Sequence, residues 1–297
     1  MTIQFNCPSC DNLIAFDDKH VGKRARCQSC GQLFIIPSRN YETPQKIEQK
    51  VELEEPLPGF WKAAFVDSWK LFVDPENAAA LVFVAALVCF RFFLANAVCC
   101  INRVAAVVTW GWLFGFYLNL IYETAFEIDK LPQIEFGTAL GFFWNIIRPF
   151  FVFFVTLFLL WLPFIATLAL LQDKGITIHN MWRLELGPRL LLQLFFVAGL
   201  FLFPMAILAT AVGRDITLLR PDYLLVPIHK APVPYLTTFV LLLAVALLEY
   251  HTRQFGQADL LHTIGRLGLN LAVQVVAIIA MRTIGLFYRH YNCYIPW

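Results

Sequence analysis

Six stretches of about twenty apolar residues run through this sequence, and they restrict its fold more than any other feature. A helix advances about 1.5 Å per residue, so roughly twenty residues cross a hydrocarbon layer about 30 Å thick. Such a layer offers no water to backbone N–H and C=O groups, which favours helices that satisfy these groups internally. The sequence predicts spanning helices at 76–98, 104–126, 148–171, 189–212, 234–251 and 266–286.

Charged residues are concentrated near the amino terminus. Residues 1–59 hold 15 of the 44 charged side chains, although they make up only a fifth of the 297 residues. This break predicts a polar head at 1–37, a flexible linker at 38–58 that mixes both charge signs with prolines, and a multi-pass membrane domain at 59–297. The formal net charge of +2 is too small to favour nucleic acid as a partner.

Four cysteines in the polar head form two Cys-x2-Cys pairs. Sixteen residues separate Cys7 and Cys10 from Cys27 and Cys30, a spacing typical of structural zinc sites. We expect those sixteen residues to form a short hairpin that places the second pair opposite the first. Four protein ligands would close the coordination sphere, so the sequence predicts a structural Zn²⁺ rather than a catalytic one. Rubredoxin-like iron and redox-active dithiols are the alternatives.

Three basic residues lie just before the second cysteine pair: Lys23, Arg24 and Arg26. They could contact phosphate groups. A zinc ion held by four thiolates has a net charge of about −2, however, and basic neighbours would offset that charge. We favour this second interpretation because the basic run is short.

The same residues resemble a known module. "CPSC" followed by "VGKRARCQSCGQLFIIP" is similar to the finger-like zinc ribbon at the amino termini of many bacterial proteins of unknown activity. The resemblance covers residues 3–37 and implies that Cys7, Cys10, Cys27 and Cys30 are the metal ligands. It also implies that "VGK" lies in a hairpin and "FIIP" in an exit strand. Residues 218–236 and the carboxyl end, "RTIGLFYRHYNCYIPW", resemble uncharacterised multi-pass membrane domains that follow such ribbons. The predicted fold class is therefore mainly α, a polytopic helical bundle with a small amino-terminal β zinc ribbon.

The segment before the first span predicts a helix lying in the headgroup layer. Four aromatic residues recur there at helical spacing: Trp61, Phe65, Trp69 and Phe72. Asp74 is the expected N-cap of the following helix, with Pro75 at its first position. A second short helix is expected to begin at Pro221, in a half-buried cytoplasmic loop.

Several observations predict that both termini are cytoplasmic. The first residues lack a basic stretch followed by an apolar one, so we expect no cleavable signal peptide. Zinc-binding thiols stay reduced in the cytoplasm. With six spans, nine basic residues would then flank the cytoplasmic side and six the outer side, which agrees in sign with the positive-inside rule. The predicted location is the inner membrane of a cell.

Arg91 is the most notable charge within a predicted span, because an ionisable group at membrane depth is a functional candidate. It lies sixteen residues after Pro75, close enough to the outer interface for its side chain to reach water by snorkelling. Pairing with Glu123 is the alternative. We favour snorkelling.

Small and cyclic residues within the spans carry predictions about packing. Gly111 and Gly115 form a Gly-x3-Gly pair that permits close helix approach, within this chain rather than between two copies. Pro163 and Pro204 lie in similar surroundings in the third and fourth spans. They could open a transporter-like cavity, although packing bends are the more common result of such prolines.

No catalytic motif accompanies these features. The spans contain no serine, and the sequence has no His-Glu-x2-His motif, P-loop or Gly-x-Gly-x2-Gly motif. A group of titratable residues surrounds the predicted outer loop between the last two spans: Glu249, His251, Asp259 and His262. A metal or acid-base site there is conceivable, but such residues also merely solvate loop ends, and we favour solvation.

The sequence therefore favours a non-enzymatic membrane protein, surrounded by lipid, whose cytoplasmic ribbon binds a protein partner. No small-molecule substrate is indicated. The competing hypothesis is a small-molecule transporter or channel, motivated by the two prolines and Arg91.

Overall fold

The computed structural model describes residues 2–7, 10, 12–21, 24–27, 33–37, 55–95, 99–133, 139–172, 186–213, 216–252 and 260–296. The chain divides into two compact units, Met1–Glu54 and Glu55–Trp297. The first is a small β unit, and the second is almost entirely helical.

Two antiparallel hairpins form the first unit. The strands are β1 (Thr2–Asn6), β2 (Leu13–Asp17), β3 (Arg24–Arg26) and β4 (Leu33–Ile35). β1 pairs with β2 so that Thr2 lies opposite Asp17, and β3 pairs with β4 so that Arg24 lies opposite Ile35. Each hairpin connection carries one Cys-x2-Cys pair.

The predicted hairpin between the two cysteine pairs is wrong. β2 and β3 both lie in the sixteen-residue interval, but they belong to different two-stranded sheets. The strands instead pair on either side of each Cys-x2-Cys pair, β1 with β2 and β3 with β4. The "FIIP" stretch begins as a strand, as predicted, because Phe34 lies in β4. Ile36 is buried just after the strand ends. Two residues of "VGK", 22 and 23, lie outside the described part of the chain.

A small core joins the two hairpins. Phe5 of β1 and Phe34 of β4 are both fully buried, with ring centroids 5.3 Å apart in an edge-to-face arrangement. Phe16 of β2 packs against the same pair of rings. The other buried side chains described in this core are Ile3, Cys7, Cys27 and Ile36. Two of these are thiols, so two of the predicted metal ligands are also part of the core.

Nine α-helices make up the described part of the second unit. They are α1 (Phe60–Phe65), α2 (Lys70–Val73), α3 (Ala78–Leu94), α4 (Cys99–Ala125), α5 (Ala139–Leu171), α6 (Leu186–Gly213), α7 (Pro221–Lys230), α8 (Pro232–Thr252) and α9 (Leu260–Tyr291). Helix α7 begins at Pro221 as predicted, after an extended Arg220.

Six of the helical segments in the described residues are long and apolar enough to cross a membrane. They are Pro75–Leu94, Cys100–Ala125, Phe143–Leu171, Gly187–Gly213, Pro232–Thr252 and Leu261–Tyr294. The predicted mainly helical class with six spans is thus confirmed. The sixth is longer than predicted at both ends. Within it, Asn270, Gln274 and Arg282 are all buried inside the bundle.

Four helices surround the most polar part of the bundle. Helices α3 and α4 run antiparallel, since Phe83 contacts Trp112 and Thr109 lies at the backbone oxygen of Leu87. Helices α4 and α9 run in the same direction: Tyr117 contacts Gln274, and residues further along both helices also meet. Helix α8 packs along α9, and α5 pairs with α6. The last turns of α3 and α8 lie near each other, where Arg91 bonds to Glu249.

The predicted Gly-x3-Gly contact lies within the chain, against helix α5. A Cβ atom added at Gly111 would meet the backbone oxygen of Ile146 at 2.7 Å, and one added at Gly115 would lie 3.1 Å from Pro149 Cγ. The backbone oxygen of Ile146 and the ring of Pro149 are both too rigid to move aside. Pro163 lies inside α5 and Pro204 inside α6, so both helices continue through their prolines.

We expect Gly111→Val to lower the free energy of unfolding by about 1–3 kcal/mol, because α4 and α5 must separate to accept the side chain. Gly265→Val on α9 is the matched control, since a Cβ there meets nothing within 4 Å. Thermal unfolding of the purified protein in detergent measures both. Equal effects of the two substitutions would contradict the close packing described here.

The segment before α3 is folded onto the end of the bundle. Phe60 is buried and packs edge-to-face on His290 and Tyr291, while the His290 ring contacts the backbone oxygen of Leu57 at 2.8 Å. The predicted single aromatic helix is wrong, because it divides into α1, a 3-10 turn at Asp67–Trp69 and α2. The aromatic side chains of this segment still point outward, as an interfacial segment requires. Trp61 is 46% exposed and Trp69 is 56% exposed.

The cap predicted for the first span is present. Asp74 Oδ1 accepts a hydrogen bond from the backbone N–H of Glu76 at 3.0 Å, with Pro75 at the first position of the turn. Next to it, buried Asn77 donates to the backbone oxygen of Leu71 and accepts from the N–H of Leu131. These bonds fix the entry of α3 against the loop that follows α4.

Candidate functional site

Three cysteines of the first unit converge. The Sγ atoms of Cys7, Cys10 and Cys27 all lie within 4.8 Å of one another, and Cys10 Sγ is 3.8 Å from Cys27 Sγ. Cys7 directly follows β1, and its backbone N–H bonds to the Asn12 oxygen at 2.9 Å, which closes the turn that carries Cys10. Cys27 directly follows β3. The ends of two strands therefore position these thiols.

The geometry of this thiol cluster suits a metal ion. A disulfide requires about 2.05 Å between sulfurs, so these cysteines are not bonded to one another. A tetrahedral zinc ion with Zn–S bonds of about 2.3 Å separates its sulfurs by roughly 3.8 Å, close to the Cys10–Cys27 distance. Cys7 and Cys27 are buried and Cys10 is exposed. The three thiols could thus hold a metal ion at the surface of the small core.

The remaining predictions for this site fall partly outside the described residues. Cys30, the expected fourth ligand, is among them, and so is Lys23. Arg24 and Arg26 form the ends of the short strand β3, so the chain positions them immediately before Cys27.

A second site lies inside the helical bundle, where Arg91 forms an ion pair. Arg91 Nη1 donates to Glu249 Oε1 at 2.8 Å, and the two side chains are only 16% and 11% exposed. Arg91 lies in the last turn of α3 and Glu249 in the last turn of α8. The guanidinium also lies over the Trp110 ring, with Cζ 4.7 Å from the ring centroid. Three helices therefore meet at this cation.

The predicted alternative partner of Arg91, Glu123, is wrong, because the side chain of Arg91 is held between Glu249 and Trp110. Snorkelling to the outer interface stays a prediction. Pairing with Glu123 is prevented by the antiparallel course of α3 and α4. Glu123 lies in the last turns of α4, fourteen residues beyond Thr109, which places it about 21 Å further along that helix.

Neutral polar side chains surround the ion pair. Thr109, Asn270 and Gln274 are all buried, and the hydroxyl of buried Tyr117 donates to Gln274 Oε1. Asn270 Nδ2 donates to the backbone oxygen of Arg266 at 2.9 Å. We call Arg91, Glu249, Thr109, Tyr117, Asn270 and Gln274 the polar cluster. Such groups are costly within a membrane unless they are paired, and here each has a described partner.

Four members of the polar cluster, Arg91, Thr109, Asn270 and Gln274, border a small cavity. Its volume of about 10 Å³ is near the lower limit for one water molecule. The lining residues are Val88, Arg91, Phe92, Thr109, Leu113, Asn270 and Gln274. Pro163 and Pro204 do not line it, so this cavity is not one that bends at those prolines open.

The predicted group around the outer loop is not assembled in the described residues. Glu249 faces into the bundle, whereas His251 and His262 are exposed. Asp259 lies outside the described part of the chain. Glu249 and His251 face different sides of α8, because residues two apart on a helix point in different directions.

At the other end of the bundle, charged side chains join α9 to the loop after α4. Buried Arg282 donates to Asp129 Oδ1 at 2.8 Å, and Arg289 Nη1 donates to Asp129 Oδ2 at 3.1 Å. The Lys70 ammonium, 2.6 Å from Asp67 Oδ1, holds the pKa of Asp67 below its usual value. The two arginine pairs fasten α9 to the loop after α4.

The sequence interpretation missed most of the polar cluster. Tyr117, Thr109, Asn270 and Gln274 were not singled out. Asn270 and Gln274 are four residues apart in an otherwise apolar stretch, so they share one helix face. That spacing was the available signal for a buried polar site.

Comparison of the chain with models of protein families, with curated proteins and with solved structures gives no match. The thiol cluster and the polar cluster therefore carry the functional argument.

Proposed function

We propose that this chain is a non-enzymatic, multi-pass protein of the inner membrane, whose amino-terminal unit is a cytoplasmic zinc ribbon that binds a protein partner. The observation that carries this proposal is the thiol cluster of Cys7, Cys10 and Cys27. Sulfur ligands at tetrahedral spacing favour zinc, and the resemblance supplies Cys30 as the fourth ligand. A site closed by four protein ligands stabilises a fold and leaves no coordination position for a substrate.

A cytoplasmic location agrees with this chemistry. Thiols remain available to a metal where disulfides are kept reduced. The excess of basic residues on the same side of the predicted spans supports the same orientation. The orientation can be measured directly with a site for a cysteine-directed label added at either terminus. The experiment compares the labelling of that site in intact cells and in opened cells.

The ribbon surface has an exposed apolar residue suited to a protein contact. Leu13 of β2 is 59% exposed, whereas the neighbouring Ile14 packs onto the core. A small unit held by a metal offers a rigid surface of this kind without a reactive group. We assign the ribbon a protein partner rather than nucleic acid, because the net charge of the chain is only +2.

Photocrosslinking in native membranes tests the partner. With a photoreactive amino acid at position 13, we expect a crosslinked product that disappears when Cys27→Ser is added, because the ribbon surface is lost. A photoreactive residue at Val233, 62% exposed on α8, is the control and should keep its pattern after Cys27→Ser. Products from position 13 that are absent, or that survive Cys27→Ser, would contradict a ribbon-dependent partner.

The second candidate function is a transporter or channel for a small molecule. The Arg91–Glu249 pair and its neutral polar neighbours favour it, because ionisable groups at membrane depth commonly mark solute or ion pathways. Uptake by sealed vesicles separates the two candidates, since a partner-binding anchor moves no solute.

A further inference from the structure

The three described thiols of the cluster differ in their access to water. Cys7 and Cys27 are buried in the small core, whereas Cys10 is exposed. Cys10 lies between β1 and β2, in the turn that the bond from the Cys7 N–H to the Asn12 oxygen closes. Cysteine oxidation depends on the exposure of the sulfur as well as on its thiolate character. A small oxidant dissolved in water therefore reaches the Cys10 sulfur first.

Zinc ligation keeps the exposed sulfur in its reactive form. A metal is bound by thiolates, and the thiolate is also the form of cysteine that attacks an oxidant. This step rests on the proposed function, which places zinc in the thiol cluster. With zinc bound, the exposed position of the cluster carries a nucleophilic sulfur in contact with water.

A second sulfur lies next to the exposed one. Cys27 Sγ is 3.8 Å from Cys10 Sγ, and a disulfide requires about 2.05 Å between its sulfurs. The two sulfurs therefore need to approach by only roughly 2 Å to form a bond. Cys27 directly follows β3, so this bond would join the two hairpins. An exposed thiolate with another thiol close by is the arrangement of redox-sensing cysteines.

We propose that the thiol cluster is a redox-sensitive switch, in which a peroxide converts Cys10 and Cys27 into a disulfide and the zinc ion is released. The Cys10 thiolate attacks one oxygen of hydrogen peroxide, the O–O bond breaks, and Cys10 becomes a sulfenic acid while hydroxide leaves. The Cys27 thiolate then attacks the Cys10 sulfur, the S–O bond breaks, and a second hydroxide leaves as the S–S bond forms. The two sulfurs lose two electrons, and the peroxide gains two.

The reaction removes two of the four ligands that the ribbon needs. Cys7 and Cys30 remain, and two ligands do not close a tetrahedral zinc site. Because the binding energy of a structural zinc ion is also folding energy, its release destabilises the small core. The surface around Leu13 is then lost to the protein partner. Thiol reductants cleave the disulfide by exchange, so the ribbon forms again when zinc is present.

Peroxide treatment of the full-length, zinc-loaded protein in detergent tests the switch. A chromophoric zinc chelator should report release of one zinc per chain after hydrogen peroxide is added, and the same chelator without peroxide is the reference. Peptide mapping without reductant should find Cys10 joined to Cys27 with the loss of two hydrogen atoms. Zinc that stays bound, or a disulfide from Cys10 to any other cysteine, would overturn the proposal.

Two variants identify the sulfur that reacts first. Cys10→His keeps a zinc ligand at this position but removes the exposed sulfur, so peroxide should release its zinc at least about tenfold more slowly than in wild type. Cys100→Ser is the matched control, because it removes an exposed thiol outside the cluster, and it should lose zinc at the wild-type rate. Equal rates in Cys10→His and wild type would contradict first attack at Cys10. If Cys10→His binds no zinc, the disulfide map of wild type still decides the proposal.

Crosslinking from position 13 in membranes tests the consequence for the partner. The product should disappear after peroxide treatment and return after reduction in the presence of zinc. A product that persists in the oxidised protein would overturn this control of the partner. Wild-type protein without zinc would refute the proposed function together with the switch. Zinc-containing protein that peroxide leaves unchanged would refute the switch alone.

Discussion

Cys27→Ser is expected to unfold the amino-terminal unit while the helical unit stays intact. The core of the first unit has few buried side chains in its described residues, and Cys7 and Cys27 are two of them. A unit of this size buries too little apolar surface to be stable alone. Metal binding in comparable zinc peptides contributes about 10–16 kcal/mol, which is more than the whole stability of a typical small domain.

Two measurements on the full-length protein check this result. Elemental analysis should find one zinc per chain in wild type and none in Cys27→Ser, and limited proteolysis should cleave residues 1–54 rapidly only in the variant or after chelation. Cys100→Ser on α4 is the control, because that thiol is exposed and lies outside the cluster. Iron in place of zinc would correct the metal, and a protease-resistant unit without metal would refute its structural role.

Breaking the Arg91–Glu249 pair is expected to have the second largest effect. Glu249→Leu should lower the free energy of unfolding by about 3–5 kcal/mol, because it leaves a buried guanidinium without a counter-ion. Arg91→Met should cost less. Glu249 can discard its charge by binding a proton, whereas arginine stays protonated at any accessible pH.

The double variant identifies the origin of the loss. The double variant Arg91→Met with Glu249→Leu should regain most of the stability that Glu249→Leu alone loses. The reason is that an apolar pair can replace a buried ion pair at little cost. Arg103→Met, an exposed arginine on α4, should change the stability by less than about 0.5 kcal/mol. Unfolding in a series of denaturing detergent mixtures measures all four proteins. Additive losses in the double variant would show that the two side chains do not stabilise each other.

Features that depend on neighbouring residues were predictable from the sequence. Asp74 caps the turn that begins at Pro75, and Pro221 begins α7, because capping and helix entry involve residues only a few positions apart. The contact of Gly111 with another helix was also foreseen, since missing side chains permit close approach whichever helix is the neighbour. The identity of that neighbour, α5, was not.

Neighbouring residues in the sequence did not predict how the strands of the small unit pair. They also did not predict which residue is the partner of Arg91. In the small unit, the spacing of Cys7, Cys10 and Cys27 was sufficient to predict that the thiols meet, but two hairpin arrangements satisfy that spacing equally well. For Arg91, Glu123 and Glu249 were both carboxylates in or near spans, and nothing in the local sequence distinguishes them. The direction of α4 relative to α3 excluded the first.

The sequence by itself determined that six helices are apolar enough to span a membrane and that a cysteine-rich β unit precedes them, because hydrophobicity and ligand spacing are properties of short segments. The tertiary structure alone decided that Arg91 pairs with Glu249 and that Arg91 and Gln274 line one cavity. Glu249 is 158 residues from Arg91, and Gln274 is 157 residues from Tyr117. Contacts at such separations depend on how the helices pack, and residue type or spacing within one helix does not encode them.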